Sequence, residues 1–115
     1  MAQQDRVRKS KQGVFSVISV TDAIAGDVAS ELRKVVTESF AEGYVKIILD
    51  LNSVPFIDSK SLEILSEIQK ESQKNGGGMK VANPSDICRD IFYATRLSSS
   101  LEIYSDVENA KRSFL

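Results

Sequence analysis

Residues 44–51, "YVKIILDL", are the apolar run that decides how this chain folds. The run is bounded on one side by Gly43 and on the other by the polar pair Asn52-Ser53. Nearly continuous apolar runs of this length are typical of strands that are covered on both faces. We therefore predict that residues 44–51 form a strand in the middle of a sheet, and that Ile48 is buried there.

The segments on either side of this strand have the periodicity of helices. Before it, one helical face is formed by Val28, Leu32, Val35, Val36 and Phe40, and Gly43 is expected to end that helix. After it, a second face is formed by Leu62, Ile64, Leu65 and Ile68, and that helix is expected to end at "NGGG" (75–78). The predicted central strand is thus flanked by two amphipathic helices.

A third helix is predicted after the short strand "MKVAN" (79–83). The sequence "NPSD" (83–86) is typical of a helix start, with Asn83 as the N-cap, Pro84 at the first helical position and Asp86 in the first turn. The buried face of this helix is predicted to consist of Ile87, Cys88, Ile91 and Phe92.

The two ends of the chain supply the remaining elements. "GVFSVISV" (13–20) follows the turn-like "SKQG" and predicts a strand that pairs in a hairpin with a weak strand near residues 4 to 10. "LEIY" (101–104) predicts a last strand, and the capping-box spacing of Ser105 and Glu108 predicts a final helix through Phe114.

The predicted order is therefore β-β-α-β-α-β-α-β-α. Alternating strands and helices imply an α/β fold with a mostly parallel, mixed sheet of about five strands and four to five helices. The 115 residues contain no repeat and no Pro/Gly-rich linker, so we expect residues 1–115 to form a single domain. Periodicity alone leaves open whether the helices cover one face of the sheet or both.

The charge pattern and the hydropathy of the chain exclude several classes of protein. The net charge is −1, which argues against nucleic-acid binding. A basic cluster of Arg6, Arg8, Lys9 and Lys11 is interpreted as a charged edge strand and not as a phosphate-binding arm. No apolar run is long enough to span or insert into a membrane, and the N-terminus is unlike a signal peptide. We therefore expect a cytoplasmic protein.

The inventory of reactive side chains gives no support for an enzyme. The chain has no histidine, which excludes Ser-His-Asp and Cys-His sites. Cys88 lies on a predicted buried face, and "GGGMK" precedes a strand and lacks the spacing of a phosphate-binding loop. A pair of carboxylates such as Asp50 and Asp58 has no recognisable cleft around it. We therefore predict no catalytic residue, no metal and no cofactor.

One stretch remains, "VPFIDSKSLEIL" (54–65), in which Asp58 and Ser59 stand where the second helix begins. Either residue is a natural N-cap, because its oxygen can accept a hydrogen bond from the first turn. A serine at a helix N-terminus is also a favourable position for a phosphate, since the free amides and the helix dipole attract its charge. A structural cap and a regulatory switch are compatible at this position.

The segment "IILDLNSVPFIDSKSL" (47–62) resembles the apolar strand, short linker and Asp-Ser pair of the STAS domain family. Within that family the chain is similar to the small bacterial anti-sigma factor antagonists over nearly its whole length. The resemblance implies that Ser59 is the regulatory phosphoacceptor and that Asp58 orients the site and caps the helix. It also implies a partner-binding surface made of Asp58, Ser59, Lys60, Ser61 and Leu62.

The same resemblance implies the partners. In such proteins the unphosphorylated form binds an anti-sigma factor that is also a serine/threonine kinase, and the sigma factor is released. Phosphorylation by that kinase reverses the binding and a separate phosphatase resets the switch, so that ATP belongs to the partner. Two alternatives stay open: a STAS subunit of a multi-copy sensory scaffold, and a STAS accessory subunit of a membrane transporter.

Three positions differ from the family pattern. Lys60 stands where the family has a small residue, and Ser61 stands where it has glycine, which leaves open whether Ser61 is also modified. The family's Gly-x-[Leu/Ile]-Asp before the first helix aligns with "DAIA" (22–25), which lacks the final Asp, so that only Asp27 could replace it.

Overall fold

The predicted order of strands and helices is confirmed in the computed structural model, which describes residues 6–97 and 100–115. The strands are β1 Val7–Gln12, β2 Phe15–Val20, β3 Lys46–Asp50, β4 Gly78–Ala82 and β5 Ile103–Tyr104. The helices are α1 Asp27–Ala41, α2 Ser59–Lys74, α3 Asp86–Ala94 and α4 Val107–Arg112. The apolar run of residues 44–51 thus forms β3, which is shorter than predicted at both ends.

The five strands form one mixed sheet in the order β1-β2-β3-β4-β5. β1 and β2 pair antiparallel, and the other neighbours pair parallel, so β3 is the central strand. The hairpin turn is at Gly13-Val14, where Gly13 has a φ of 65°. The prediction of a turn at "SKQG" was wrong, because residues 10–12 continue the pairing of β1. Residues 4 and 5 of the predicted first strand lie outside the described residues.

Three helices cover one face of the sheet. Parallel strands in consecutive order, joined by crossovers of the same hand, place their connecting helices on the same side. α1 packs on β1 and β2, and α2 packs on β4, while α3 contributes the buried side chains of Cys88 and Phe92. The main hydrophobic core lies between these helices and the alternate residues Ile47 and Leu49 of β3.

The opposite face is covered by α4, which packs on β3, β4 and β5. A second, smaller core forms there from Val17, Ile48, Ala82 and Ala110. Both faces are thus covered, unequally, which answers the question that periodicity left open. Ile48 is fully buried, as predicted from the central position of its strand.

The start of α3 differs from the prediction. Ser85, and not Asn83, is the N-cap, and its side chain accepts a hydrogen bond from the Cys88 N–H. Asn83 has a left-handed φ of 56°, and its amide donates to the Asp50 carboxylate at 3.1 Å. Pro84 therefore precedes the helix, while Asp86 lies in its first turn as predicted.

The buried face of α3 and the bounds of α4 also need correction. Ile87 was predicted to be buried but is 59% exposed, because the inward face of α3 is formed by Cys88 and Phe92. α4 is capped by Asp106, whose carboxylate accepts from the Asn109 N–H at 2.7 Å, and not by Ser105. That helix ends at Arg112, before the predicted end at Phe114.

The basic N-terminal residues lie on the edge strand of the sheet, as predicted. Lys9 and Lys11 form ion pairs with Glu42 at the end of α1, and Arg6 pairs with Glu31 in the same helix. These cations therefore connect the β1 edge to α1. Their charges also discourage another strand from pairing with the free backbone groups of this edge.

Candidate functional site

The Asp58-Ser59 pair lies at the edge of the sheet where the parallel strands end. The connection from β3 to α2 crosses this edge, with Val54 and Ile57 pointing into the core and Phe56 half-exposed. Asp58 ends the connection, and Ser59 is the first residue of the 16-residue helix α2. The stretch that the sequence singled out is therefore a short, anchored loop followed by a long helix.

Hydrogen bonds fix this loop on one side to the connection between β2 and α1. The Ile24 N–H donates to the Phe56 carbonyl at 3.0 Å, and the Asp58 N–H donates to the Ile24 carbonyl at 3.1 Å. Ile24 and Ile57 thereby form an isolated parallel bridge. The two loops thus act as a short extension of the sheet beneath the start of α2.

The start of α3 fixes the other side of the loop. The Val54 carbonyl accepts from the Ser85 hydroxyl at 3.3 Å and from the Cys88 thiol at 3.4 Å. Burial raises the pKa of that thiol, which keeps it protonated. Cys88 is therefore an inert, buried residue that supports the loop, in agreement with the prediction.

Asp58 is the N-cap of α2, which decides between the two candidates that the sequence allowed. Its Oδ1 accepts from the Ser61 N–H at 2.8 Å. Hydrogen bonds from the Ser61 hydroxyl and the Ser61 N–H lower the pKa of the Asp58 carboxyl, and the Gly26 N–H and the charge of Lys60 act in the same direction. The carboxylate is thus held ionised by donors on both loops.

The five residues of the predicted surface separate into two groups. Ser59 and Lys60 are exposed and Asp58 is partly exposed, whereas Ser61 is 1% and Leu62 6% exposed. Within residues 6–97 and 100–115, the Ser59 hydroxyl has no hydrogen-bond partner. Ser59 is thus accessible to a second protein, while the side chains of Ser61 and Leu62 lie beneath the surface.

The structure shows the surroundings of two of the departures from the family pattern. Ser61, at the glycine position, is 1% exposed, and its N–H donates to the Asp58 carboxylate, which makes Ser61 part of the cap. Asp27 is exposed at the start of α1, directly after Gly26, whose φ is 55°. The effect of the Gly26 N–H on the pKa of Asp58 was missed, because no local pattern links residues 32 positions apart.

Other candidate sites gain no support from the fold. Gly76, with a φ of 90°, follows the end of α2, and Gly78 begins β4, so "GGGMK" consists of a helix-to-strand turn and the first residues of a strand. Among the described residues, no group of side chains is arranged to hold a metal ion. In the same part of the chain, every helix is too short or too polar to cross a lipid bilayer.

The lowered pKa of Asp58 predicts how the stability of the protein depends on pH. A carboxylate with a depressed pKa stabilises the fold above its unfolded value, and the contribution is lost as the pH falls through the folded value. We expect Asp58→Asn to lower the melting temperature at neutral pH, and this difference to shrink below about pH 4. Calorimetry across that range, with carboxyl NMR of Asp58, measures both effects.

Ser61→Ala is the matched control for this titration, because it removes the hydroxyl that contributes most to the shift. The pKa of Asp58 is expected to rise toward its ordinary value in that variant. An Asp58 carboxyl that titrates at or above the ordinary value in the wild-type protein would contradict the cap geometry.

Comparison with known proteins identifies the family of this chain. The sequence model of the STAS domain family matches residues 6–110. A candidate anti-sigma factor antagonist from Thermotoga maritima is 32% identical over 73 residues, which are 64% of this chain and 65% of that protein. The chain thus spans about two thirds of the length of this relative.

Solved structures show the same fold. The crystal structure of the Thermotoga maritima protein has a TM-score of 0.87 at 23% identity, over 94% of this chain and 93% of that one. The anti-sigma factor antagonist SpoIIAA of Bacillus, in its unphosphorylated form, has a TM-score of 0.72 at 16% identity, over 93% and 94% of the chains. A sulfate transporter family protein from Wolinella succinogenes has a TM-score of 0.76 at 18% identity, over 94% and 92%.

At these identities the solved structures establish the fold, and the family rests on the domain match. That match covers all five strands and most of α4, together with the Asp58-Ser59 loop. The chain belongs to the STAS domain family.

Proposed function

We propose that this chain is a single STAS domain that acts in the cytoplasm as an anti-sigma factor antagonist, a non-catalytic binding switch controlled by phosphorylation of Ser59. In its unphosphorylated form it binds an anti-sigma factor that is also a serine kinase, and it thereby releases a sigma factor. The kinase phosphorylates Ser59 with its own ATP, and a phosphatase removes the phosphate.

The observation that carries the proposal is the exposed hydroxyl of Ser59 at the first position of α2, which has no hydrogen-bond partner within residues 6–97 and 100–115. A kinase needs an acceptor oxygen that it can reach without unfolding the substrate. Ser59 meets this condition, whereas Ser61 is buried and engaged with Asp58. We therefore assign the modification to Ser59 alone.

The surroundings of Ser59 also support a change in binding on phosphorylation. The hydrogen bonds of Ile24, Val54 and Asp58 hold the loop, so the partner meets a preformed surface. A phosphate adds a charge of about −1.5 to −2 at the centre of that surface, beside the Asp58 carboxylate. An interface that fits the neutral serine then has to desolvate the phosphate or face it with like charge.

Two named relatives favour this function. The Thermotoga maritima relative is named as a candidate anti-sigma factor antagonist, and SpoIIAA has been solved in both unphosphorylated and phosphorylated forms. The Wolinella succinogenes structure favours a second candidate, an accessory role at a membrane transporter. In that role the surface at the start of α2 would bind its partner without phosphorylation. Variants of Ser59 therefore distinguish the two candidate functions.

Binding in the presence of ATP tests the proposal. Wild-type protein is expected to dissociate from its anti-sigma kinase as Ser59 becomes phosphorylated, whereas Ser59→Ala stays bound. Ser53→Ala removes another exposed serine of the same loop and is expected to behave like the wild type. Pull-down with and without ATP measures this, and loss of binding in a folded Ser59→Ala variant would contradict the proposal.

A further inference from the structure

An open groove of about 510 Å³ begins at Ser59 and follows α2. One wall is a stripe of α2 that includes Ser59, Ser66 and Lys70, and the other is formed by Thr95 and Leu97 after α3. Eleven helical positions separate Ser59 from Lys70, which is about 16 Å along the helix axis. The groove is thus long enough for about three turns of a helix, or for a short extended segment.

The groove lies inside the area that a protein interface centred on Ser59 would cover. A stable interface buries about 800 Å² on each partner, roughly a disc of 16 Å radius. A kinase interface of this size that is centred on the Ser59 hydroxyl therefore covers the groove along most of its length. The apolar part of the lining is supplied by Leu62 and Leu97, both of which are packed against the main core.

Two opposite charges on the lining are available to a partner. Glu67 is already paired with Arg33 of α1 at 3.2 Å. In contrast, Glu63 and Lys70 form no ion pair within residues 6–97 and 100–115. They lie seven helical positions apart, about 10 Å along the axis, with the carboxylate nearer Ser59. The groove therefore has a charge polarity that gives a bound segment a preferred direction.

We propose that this groove is a docking site for one segment of the anti-sigma kinase, an amphipathic segment with an apolar side chain between a cation and a carboxylate. The apolar side chain packs against the partly exposed Leu97, with the buried Leu62 at the floor of the groove, the cation pairs with Glu63, and the carboxylate pairs with Lys70. The inference rests on the proposed function, since it takes the kinase of Ser59 as the occupant. It assigns to the groove the affinity and orientation of the partner, separately from the chemistry at Ser59.

Two variants test the groove without touching Ser59. Ser66→Phe fills it with a ring at a half-buried position, and Ser30→Phe places the same ring on an exposed position of α1 as a control. The double variant Glu63→Lys/Lys70→Glu reverses the polarity while the net charge of −1 is kept, so long-range electrostatics change little. Thermal melting of each variant first establishes that it is folded.

The probe is the purified anti-sigma serine kinase from the same genome, with Kd measured without ATP and Ser59 phosphorylation followed with ATP. We expect the filled groove and the reversed charges each to raise Kd and KM about tenfold, while kcat stays within about twofold of the wild type. Ser30→Phe is expected to leave all three values unchanged.

Wild-type Kd and KM in both folded groove variants would overturn the inference while leaving the switch at Ser59 in place. A fall in kcat with an unchanged KM would also overturn it, because the groove would then serve the chemical step. Failure of the kinase to phosphorylate wild-type Ser59 would overturn the proposed function, and the docking site with it.

Discussion

Ile48→Asp is expected to abolish cooperative folding. Ile48 lies in the central strand β3 and is 0% exposed, packed with Val17, Ala82 and Ala110 under α4. The substitution removes a buried apolar side chain and places an unpaired carboxylate in its position, and each change costs several kcal/mol. The sum approaches the whole free energy of unfolding of a typical domain, which is about 5–15 kcal/mol. Circular dichroism during thermal melting measures the loss.

Ile87→Asp is the matched control, because it makes the same change at a side chain that is 59% exposed. Surface substitutions of this kind usually change stability by less than about 0.5 kcal/mol. A cooperative melting transition of Ile48→Asp near that of the wild type would show that β3 is not the central strand of the folded protein.

Ser59→Asp is expected to weaken binding to the anti-sigma kinase at least a hundredfold. A hundredfold change in Kd corresponds to about 2.7 kcal/mol, which a charge buried without a partner can readily cost. The added carboxylate lies beside Asp58, which its hydrogen bonds to Ser61 and Gly26 keep ionised. Isothermal titration calorimetry with the kinase in the absence of ATP measures the change in Kd.

Ser53→Asp adds the same charge to an exposed position of the same loop and is expected to weaken binding much less. The comparison separates a local effect at the helix start from a general effect of net charge. A Kd of Ser59→Asp equal to that of the wild type would rule out an electrostatic switch and would favour an accessory role without phosphorylation.

Much of the fold could be predicted from the sequence because the long elements have strong periodicity. The apolar run of β3 and the stripes of α1 and α2 each extend over enough residues to define a face. The nine residues of α3 do not, since two and a half turns leave its rotation undefined, and Ile87 was therefore placed on the wrong face.

Helix ends depend on contacts that local patterns do not contain. Asn83 is a good N-cap by residue type, but its contact with Asp50, 33 residues earlier, holds it before the helix and leaves the cap to Ser85. At α4 the N-cap is Asp106 and not Ser105, so the backbone enters the helical conformation one residue later than predicted. Cap residues can thus be predicted as a short cluster more securely than as a single position.

In the candidate site, too, some features follow from the local sequence and others depend on tertiary contacts. Its position, at a helix start after a buried strand, follows from the sequence, and so does the restriction of the cap to Asp58 or Ser59, between which the structure decides. The burial of Ser61 and the effect of Gly26 on the pKa of Asp58 depend on how two loops pack together, so they required the three-dimensional arrangement.

The central claim is that Ser59 accepts a phosphate from a partner kinase. Intact-mass analysis with site mapping, after incubation with ATP and the anti-sigma kinase of the same genome, tests it most directly. One phosphate on Ser59 of the wild-type protein, absent from Ser59→Ala and present in Ser53→Ala, is the predicted result. A wild-type protein that gains no phosphate, or gains it at another residue, would contradict the claim.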